Sequence, residues 1–194
     1  MRSSGSTRNP PADGAPRLLI RIVGDDHPKA CTGRRLVRRG LARPVGRIDG
    51  IYPPPIVLDP FAPEALSGAD RSLALRGGLL VVDCSWNRLG LRGSFPEGGV
   101  PGRTRPLRRR LPILVAANPQ HFGRVAELNT VEAFAAALYL TGRSADAARL
   151  LGGFPGGVEF LTLNRERLDR YARARSTEGI RAVEADLFGP PSGA

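Results

Sequence analysis

The side chains best suited to chemistry follow an apolar run in the middle of the chain. Residues 79–82 are continuously apolar, and Asp83 comes directly after them. A carboxylate at the end of a buried strand either caps the following turn or is held in a cleft, where it can grip an ammonium group or accept a proton. Position alone leaves these two interpretations equal. Trp86, the single tryptophan, is either a core residue or the wall of a site for a cation such as a sulfonium.

Two threonines stand at predicted helix starts. Thr32 lies in a Cys-Thr-Gly-Arg sequence, and Thr130 follows Asn129. Each threonine is most simply part of a helix N-terminus, with Thr32 as the cap. The same position also offers a hydroxyl and free amides at the positive end of a helix, which can bind an anion or a ribose.

The histidines and cysteines do not form a recognisable catalytic or metal-binding pattern. His27 and His121 have no serine or cysteine beside them in a nucleophile arrangement, so we interpret both as structural or RNA-facing. Ser-His-Asp chemistry and zinc hydrolysis therefore have no support. Cys31 and Cys84 are too far apart for a Cys-x-x-Cys pair and are predicted to be reduced, buried thiols. We expect no metal site.

Arginine dominates the charge of the chain. Among 194 residues, 29 are basic and 18 acidic, which gives a net charge of +11. Codon bias can raise arginine content, but here the arginines are unevenly placed. The first arginine cluster comprises Arg34, Arg35, Arg38, Arg39, Arg43 and Arg47, and the second comprises Arg103, Arg105, Arg108, Arg109 and Arg110. Guanidinium groups suit phosphate oxygens, so a nucleic acid is favoured over an acidic protein or a membrane. We expect RNA contacts from Arg34, Arg35, Arg38, Arg39, Arg108, Arg109 and Arg110.

Strand and helix patterns alternate along the chain. Apolar runs predict strands at 17–23, 56–58, 79–82 and 113–116. Capping residues and glycines predict helices at 32–42, from 67–70 to 77, 129–140, 144–152 and 158–174. Such alternation predicts an α/β fold with a mostly parallel sheet, in which ligands bind beyond the carboxyl ends of the strands. The chain has no G-x-G-x-x-G and no P-loop, so a glycine-held nucleotide is not supported.

Composition suggests a division into domains and tails. No apolar run is long enough to cross a bilayer, and the N-terminus has no secretory h-region. We therefore expect a cytoplasmic monomer without a membrane partner. The predicted parts are a disordered tail at 1–16, an N-terminal domain at 17–60, an α/β domain at 61–175 with a mobile loop at 90–106, and a flexible tail at 176–194.

Several short motifs occur in a specific order. They are Pro-Lys-Ala-Cys-Thr-Gly-Arg-Arg-Leu at 28–36, Ile-Val-Leu-Asp-Pro at 56–60, Asp-Cys-Ser-Trp at 83–86, Leu-Val-Ala-Ala-Asn-Pro at 114–119, Gly-Arg at 123–124 and Leu-Asn-Thr-Val-Glu-Ala at 128–133. Together they resemble the small-subunit rRNA aminocarboxypropyltransferase family of archaea and eukaryotes, over residues 18–171.

The resemblance implies a fold, a donor and a set of site residues. The fold is like that of the SPOUT methyltransferases, with a deep trefoil knot in the 61–175 domain, while the 17–60 domain helps to bind RNA. The donor is S-adenosylmethionine. Carried over by position, the cofactor contacts are Thr32, Val82, Leu111, Ala126 and Thr130, the apolar walls are Leu58, Pro60 and Trp86, and the catalytic acidic residue is Asp83. The family usually has an aromatic residue where this chain has Ala126.

The resemblance also implies a reaction. The enzyme transfers the 3-amino-3-carboxypropyl group to a pseudouridine or methylpseudouridine of small-subunit rRNA, or of a pre-ribosomal particle, and releases methylthioadenosine. Three alternatives stay open. They are a tRNA aminocarboxypropyltransferase, which shares an Asp-x-x-Trp signature, a SPOUT-type RNA methyltransferase, and a ribosome-assembly factor without catalytic activity.

Overall fold

The computed structural model describes residues 14–23, 31–48, 50–83 and 106–189. Several sequence predictions concern residues outside these ranges. They are most of the 1–16 tail, nearly all of the 90–106 loop, and His27, Cys84, Trp86, Arg103 and Arg105.

A parallel β-sheet forms the centre of the molecule. Its strands within the described residues are β1 (Leu18–Ile22), β2 (Arg43–Pro44), β3 (Ile56–Leu58), β4 (Leu79–Asp83) and β5 (Leu107–Arg109). Their order is β2-β1-β4-β3-β5, and every neighbouring pair is parallel. The predicted α/β class with a parallel sheet is confirmed. All carboxyl ends of the strands therefore meet at one edge, which we call the carboxyl edge.

Both faces of the sheet are covered at β3 and β4, which explains why Ile56–Leu58 and residues 79–82 are continuously apolar. Ile20 and Val81 belong to the large core that the helices cover. Leu80 and Val82 face the other way and pack with Ile48 in a smaller cluster. β1 to β3 come from the predicted 17–60 domain and β4 and β5 from the predicted 61–175 domain, so this one sheet spans the predicted boundary.

Six α-helices accompany the sheet within the described ranges. They are α1 (Thr32–Arg38), α2 (Arg71–Gly77), α3 (Thr130–Leu140), α4 (Ser144–Leu151), α5 (Gly157–Arg173) and α6 (Thr177–Phe188), with a short 3-10 helix (Gly68–Asp70) leading into α2. Helix α3 is the central one and contacts β4, α1, α4 and α5. Its apolar residues are buried nearly all round, as expected for a helix inside a core. No helix among the described residues combines the length and apolar character that crossing a membrane requires.

The two predicted capping boxes are confirmed, but the first helix ends at Arg38 rather than at residue 42 and has a different cap. Ser67 with Asp70 and Asn129 with Glu132 form reciprocal capping boxes, as predicted. The first helix differs from the prediction, because Cys31 rather than Thr32 caps it. The thiol can accept the Arg34 N–H, so a weak acceptor takes the place of the expected hydroxyl.

The predicted strand at 113–116 is wrong. The strand of this region is β5, which contains Arg108 and Arg109 and lies at the sheet edge beside β3. The apolar run after it forms only an isolated antiparallel bridge between Val115 and Val125. Its hydrophobicity reflects burial of Leu114 and Ala116 in the helical core, not membership of the sheet.

The predicted flexible tail is also wrong over most of its length, since helix α6 occupies Thr177–Phe188. Ser176 caps this helix by accepting the Gly179 N–H. Ile180 is fully buried, and Glu184 is 9% exposed. These two residues lie on one face, four positions apart, and the partly buried Val183 and Leu187 of the same helix also pack against the core.

Candidate functional site

Polar side chains from three distant parts of the sequence meet at the carboxyl edge. Asp83 is the last residue of β4, and its backbone carbonyl accepts the Val23 N–H from the end of β1. Thr130 is the first residue of α3, and Cys31 is the N-cap of α1. The strand end and the two helix starts converge because α1 and α3 pack side by side.

Both carboxylate oxygens of Asp83 are held by hydrogen bonds. The Thr130 hydroxyl donates to Oδ1 at 2.5 Å, and the Cys31 thiol donates to Oδ2 at 2.8 Å. The carboxylate therefore lies at the N-termini of two helices, where the helix dipole favours a negative charge. Each oxygen keeps a second lone pair, so the group can still accept a proton or bind a cation.

Cys31 connects the first helix to this carboxylate. Its side chain is buried, and burial together with the hydrogen bond to Asp83 raises the pKa of the thiol to about 11. The thiol is therefore protonated at neutral pH and acts as a donor. The prediction of a buried Cys31 is confirmed, but no local sequence signal indicates its contact with Asp83.

Gly33 allows this close approach. A Cβ atom at this position would collide with the Asp83 carboxylate and with the Ile20 side chain. The glycine of the Cys-Thr-Gly-Arg motif is thus required by packing, because any side chain would separate α1 from the end of β4.

Glu132 fixes the opposite side of the site. Its side chain is 1% exposed, and its Oε1 accepts the Ala117 N–H at 2.8 Å. Its Oε2 accepts the Asn118 side-chain amide at 2.7 Å and the Asn129 N–H at 2.9 Å. One buried carboxylate therefore ties the Asn-Pro motif to the start of α3, where Thr130 contacts Asp83. Sequence reasoning identified Glu132 only as half of a capping box.

Three of the other predicted cofactor contacts lie at or just after the strand ends and differ in exposure. Leu58 and Val82 are buried at their strand ends, while Pro60 is exposed. The Asp59 N–H donates to the Arg109 carbonyl, which brings the end of β3 alongside the segment that leads to Leu111.

Ala126 has an unusual backbone conformation. Its φ is +63°, in the left-handed region that non-glycine residues rarely adopt. Its N–H donates to the Leu114 carbonyl at 2.8 Å. The residue is exposed, so its small side chain leaves the surface open at this point.

The three arginines of the second cluster that the structure describes are paired with carboxylates. Arg108 contacts Asp59 at 3.1 Å, Arg109 contacts Asp70 at 3.2 Å and Glu64 at 2.6 Å, and Arg110 contacts Glu184 at 2.7 Å. All three arginines are partly buried. Their charges are therefore largely neutralised within the fold.

The first cluster is arranged differently. Arg34, Arg35 and Arg38 lie on α1, and Arg39 is its C-cap. No carboxylate among the described residues pairs with these four side chains. The guanidinium groups of Arg35 and Arg39 each lie 5.0 Å from the centre of the Phe154 ring, which is within cation–π range.

The described residues contain no group of three His, Cys, Asp or Glu side chains that could hold a metal ion. His121 Nδ1 lies 3.2 Å from a carboxylate oxygen of Glu127 and 3.3 Å from the backbone carbonyl oxygen of Glu127. These contacts engage the imidazole in the fold, in line with the structural interpretation of this residue.

A parallel sheet whose carboxyl edge carries a fixed carboxylate defines an α/β protein of the type that binds small ligands at strand ends. Residues 56–188 match the family described as "Ribosome biogenesis protein, C-terminal", and the chain belongs to this family.

Relatives and a solved structure agree with this assignment. The chain is 43% identical over 171 residues to a 16S rRNA aminocarboxypropyltransferase of Methanopyrus kandleri, a match that covers 88% of this chain and 98% of that protein. It is 40% identical over 168 residues to the protein of the same name from Methanosarcina acetivorans, covering 87% and 92%. The fold is similar to that of the SAM-dependent rRNA:acp-transferase Tsr3 from Vulcanisaeta distributa, with a TM-score of 0.73, 34% identity, and coverage of 90% of this chain and 99% of that one.

Proposed function

We propose that this chain is an S-adenosylmethionine-dependent 16S rRNA aminocarboxypropyltransferase that acts in ribosome biogenesis. The observation that carries the proposal is its similarity to 16S rRNA aminocarboxypropyltransferases over nearly their whole length, at 40–43% identity. The carboxyl edge fits such a donor, because it combines buried apolar strand ends with one fixed carboxylate.

The chemistry is a substitution at carbon. S-adenosylmethionine supplies a γ-carbon activated by its bond to a sulfonium. N3 of the pseudouridine loses its proton and forms a bond to that carbon, while the bond from carbon to sulfur breaks and methylthioadenosine leaves. The leaving thioether is uncharged and needs no acid, so orientation for in-line attack supplies most of the catalysis.

Asp83 is the proposed catalytic residue, either as acceptor of the N3 proton or as anchor of the arm's amino group. Cys31 and Thr130 fix the plane of its carboxylate, which is what a positioned base or anchor requires. The proposed cofactor contacts and apolar walls are Thr32, Leu58, Pro60, Val82, Leu111, Ala126, Thr130 and Trp86.

The first arginine cluster is the proposed RNA surface. Arg38 is exposed, and Arg34, Arg35 and Arg39 have no carboxylate partner among the described residues, so their charges are available to phosphates. Arg108, Arg109 and Arg110 contribute mainly to the fold because their charges are paired.

The finer features also belong to the proposal. They are a SPOUT-like fold with a trefoil knot, RNA binding by the 17–60 part, cofactor binding by the 61–175 part together with Thr32, Leu58 and Pro60, a cytoplasmic monomer, and catalysis without a metal. The similarity to a solved acp-transferase of 34% identity supports the fold, and light scattering of the purified protein tests the monomer.

Product analysis tests the reaction directly. The purified protein is incubated with S-adenosylmethionine and small-subunit rRNA, with tRNA as the alternative acceptor. We expect methylthioadenosine and an aminocarboxypropyl nucleoside in the rRNA. S-adenosylhomocysteine would indicate a methyltransferase, transfer to tRNA alone would indicate the tRNA enzyme, and RNA binding without cofactor binding would indicate an assembly factor.

Two substitutions test the assigned roles. Asp83→Asn keeps the shape of the side chain, so we expect a folded protein and a loss of transfer by about 100-fold, the scale of one acid–base group. Normal cofactor binding in this variant would indicate the proton acceptor, and weakened binding would indicate the anchor of the amino group. Trp86→Ala should weaken cofactor binding by about 2–4 kcal/mol through lost packing and cation–π attraction. Calorimetry, single-turnover rates and melting temperatures of both variants provide the measurements. Full transfer activity in a folded Asp83→Asn protein would remove Asp83 from the mechanism.

A further inference from the structure

The chain between β5 and the Asn-Pro motif, residues 110–116, lies outside the five strands and forms only isolated bridges, at Arg110 and Val115. Buried backbone N–H and C=O groups must still find partners. Here several of those partners are side chains of the two C-terminal helices. They contact alternate residues of the segment, as a neighbouring strand would.

Glu184 of α6 provides the first support. Its two carboxylate oxygens accept hydrogen bonds from both terminal nitrogens of Arg110, at 2.7 and 2.8 Å. The same carboxylate also accepts the backbone N–H of Ile113 at 3.0 Å. The hydrogen bond to Glu184 raises the pKa of Arg110. Glu184 therefore holds the chain on both sides of Leu111.

Helix α5 provides the second support. The Tyr171 hydroxyl donates to the carbonyl of Ile113 at 3.1 Å. Asn164 holds both backbone groups of Val115, because its Oδ1 accepts the N–H at 2.9 Å and its Nδ2 donates to the carbonyl at 2.8 Å. Both helix residues are fully buried, so neither can exchange these bonds for water.

These contacts set the path of the chain at the carboxyl edge. Leu111 lies between the two residues that Glu184 holds, and the segment continues into Ala117 and Asn118, which Glu132 ties to α3. A change in the support would displace the segment along the edge without touching Asp83 directly.

We propose that Glu184, Tyr171 and Asn164 are positioning residues for the cofactor, which they serve by holding segment 110–116 in a binding-competent path. This inference rests on the proposed function, which assigns Leu111 to cofactor contact. It makes helices α5 and α6 part of the binding machinery, in addition to their role in the core. A purely structural role would change stability but leave the cofactor affinity of folded molecules unaltered.

A pair of conservative substitutions separates the two roles. Tyr171→Phe removes only the hydroxyl that holds Ile113, and Tyr139→Phe removes a hydroxyl that donates to Asp169 between α3 and α5. Both variants keep an aromatic ring in place. We expect Tyr171→Phe to weaken S-adenosylmethionine binding about threefold, or about 0.7 kcal/mol, and Tyr139→Phe to leave it within error of the wild type. Calorimetry is carried out well below each melting temperature.

A second pair of substitutions removes one negative charge each from helix α6. Glu184→Gln breaks the bidentate pair with Arg110, while Asp186→Asn breaks the exposed pair between Asp186 and Arg170. We expect Glu184→Gln to raise the KM for S-adenosylmethionine about tenfold, or about 1.4 kcal/mol, with kcat at saturating donor nearly normal. Asp186→Asn should change neither constant.

The outcomes distinguish this inference from the proposed function. Normal donor affinity in folded Tyr171→Phe and Glu184→Gln proteins would overturn the positioning role while leaving the proposed function intact. If Glu184→Gln does not fold, the tyrosine pair decides the question. A wild-type protein that does not bind S-adenosylmethionine would refute the proposed function itself.

Discussion

The arginines at 34–39 and those at 108–110 are similarly clustered in the sequence but lie in opposite electrostatic environments. Arg34, Arg35, Arg38 and Arg39 lie on or just after α1 without a carboxylate partner among the described residues, and two of them stack on Phe154. Arg108, Arg109 and Arg110 lie in or next to β5, each beside at least one carboxylate.

The difference comes from residues that are distant in sequence. The carboxylates that pair with the second cluster belong to Asp59, Glu64, Asp70 and Glu184. Where a hydrogen bond joins an arginine to one of them, the two residues are between 39 and 74 positions apart in the sequence. A basic stretch therefore indicates an RNA surface only if the fold leaves its charges unpaired. Local charge counting cannot distinguish the two cases, because the partners approach only after folding.

The largest expected effect is on stability, from the second cluster. Arg110→Met leaves the Glu184 carboxylate buried without its partner, so we expect the free energy of unfolding to fall by about 2–3 kcal/mol. Urea unfolding provides the measurement. The control is Arg149→Met, whose exposed pair with Asp146 should contribute less than about 1 kcal/mol. A stable Arg110→Met protein with weakened RNA binding would instead place Arg110 on the RNA surface.

An intermediate effect is expected on RNA binding, from the first cluster. Charge reversal to Glu at Arg35, Arg38 and Arg39 should weaken RNA binding at least about tenfold and reduce the salt slope by roughly 0.9 for each phosphate that is no longer neutralised. Cofactor affinity should stay nearly unchanged. Filter binding over a range of salt concentrations tests this. The same reversal at the exposed arginines Arg76, Arg165 and Arg175 controls for net charge. Loss of cofactor binding in a folded variant would show that this cluster is not a separate RNA surface.

The smallest effect is expected at the aromatic support of the first cluster. Phe154→Leu keeps an apolar side chain but removes the ring face under Arg35 and Arg39, where each cation–π contact contributes about 0.5–1 kcal/mol. We expect RNA affinity to fall about threefold, since the ring that orders the two guanidinium groups is removed. If Phe154→Leu leaves RNA affinity unchanged while the charge reversal lowers it, the arginine charges alone bind RNA and the Phe154 ring does not order them.

Much of the fold could be predicted from local signals. Helix starts are determined by the capping boxes at Ser67 and Asn129, and helix ends by the glycines after α2 and α4. All of these signals act through contacts within a few residues. The apolar runs of β1, β3 and β4 follow from burial on both faces of the sheet. Such features depend on residues that are close in the sequence, so they can be predicted from the sequence alone.

The errors in the prediction have a common cause. An apolar run at 113–116 satisfies the pattern of a buried strand equally well whether its partner is a strand or the side chains of Asn164, Tyr171 and Glu184. The predicted tail carries Ile180, Val183 and Leu187 at helical spacing, and these residues dock α6 on the core together with Glu184. In both cases the stabilising partners are more than 45 positions away.

The sequence by itself determined the α/β class, the parallel sheet and the family. It also determined the position of Asp83 at the end of a strand, because the motif and the apolar run before it are contiguous. Only the tertiary structure decided that the Cys31 thiol and the Thr130 hydroxyl hold the two oxygens of that carboxylate, and that Gly33 leaves room for it. The tertiary structure also decided which arginines lie beside carboxylates. These facts depend on the approach of α1, α3 and α6 to the sheet, since hydrogen bonds and ion pairs act over about 3 Å and are fixed only when packing brings distant residues together.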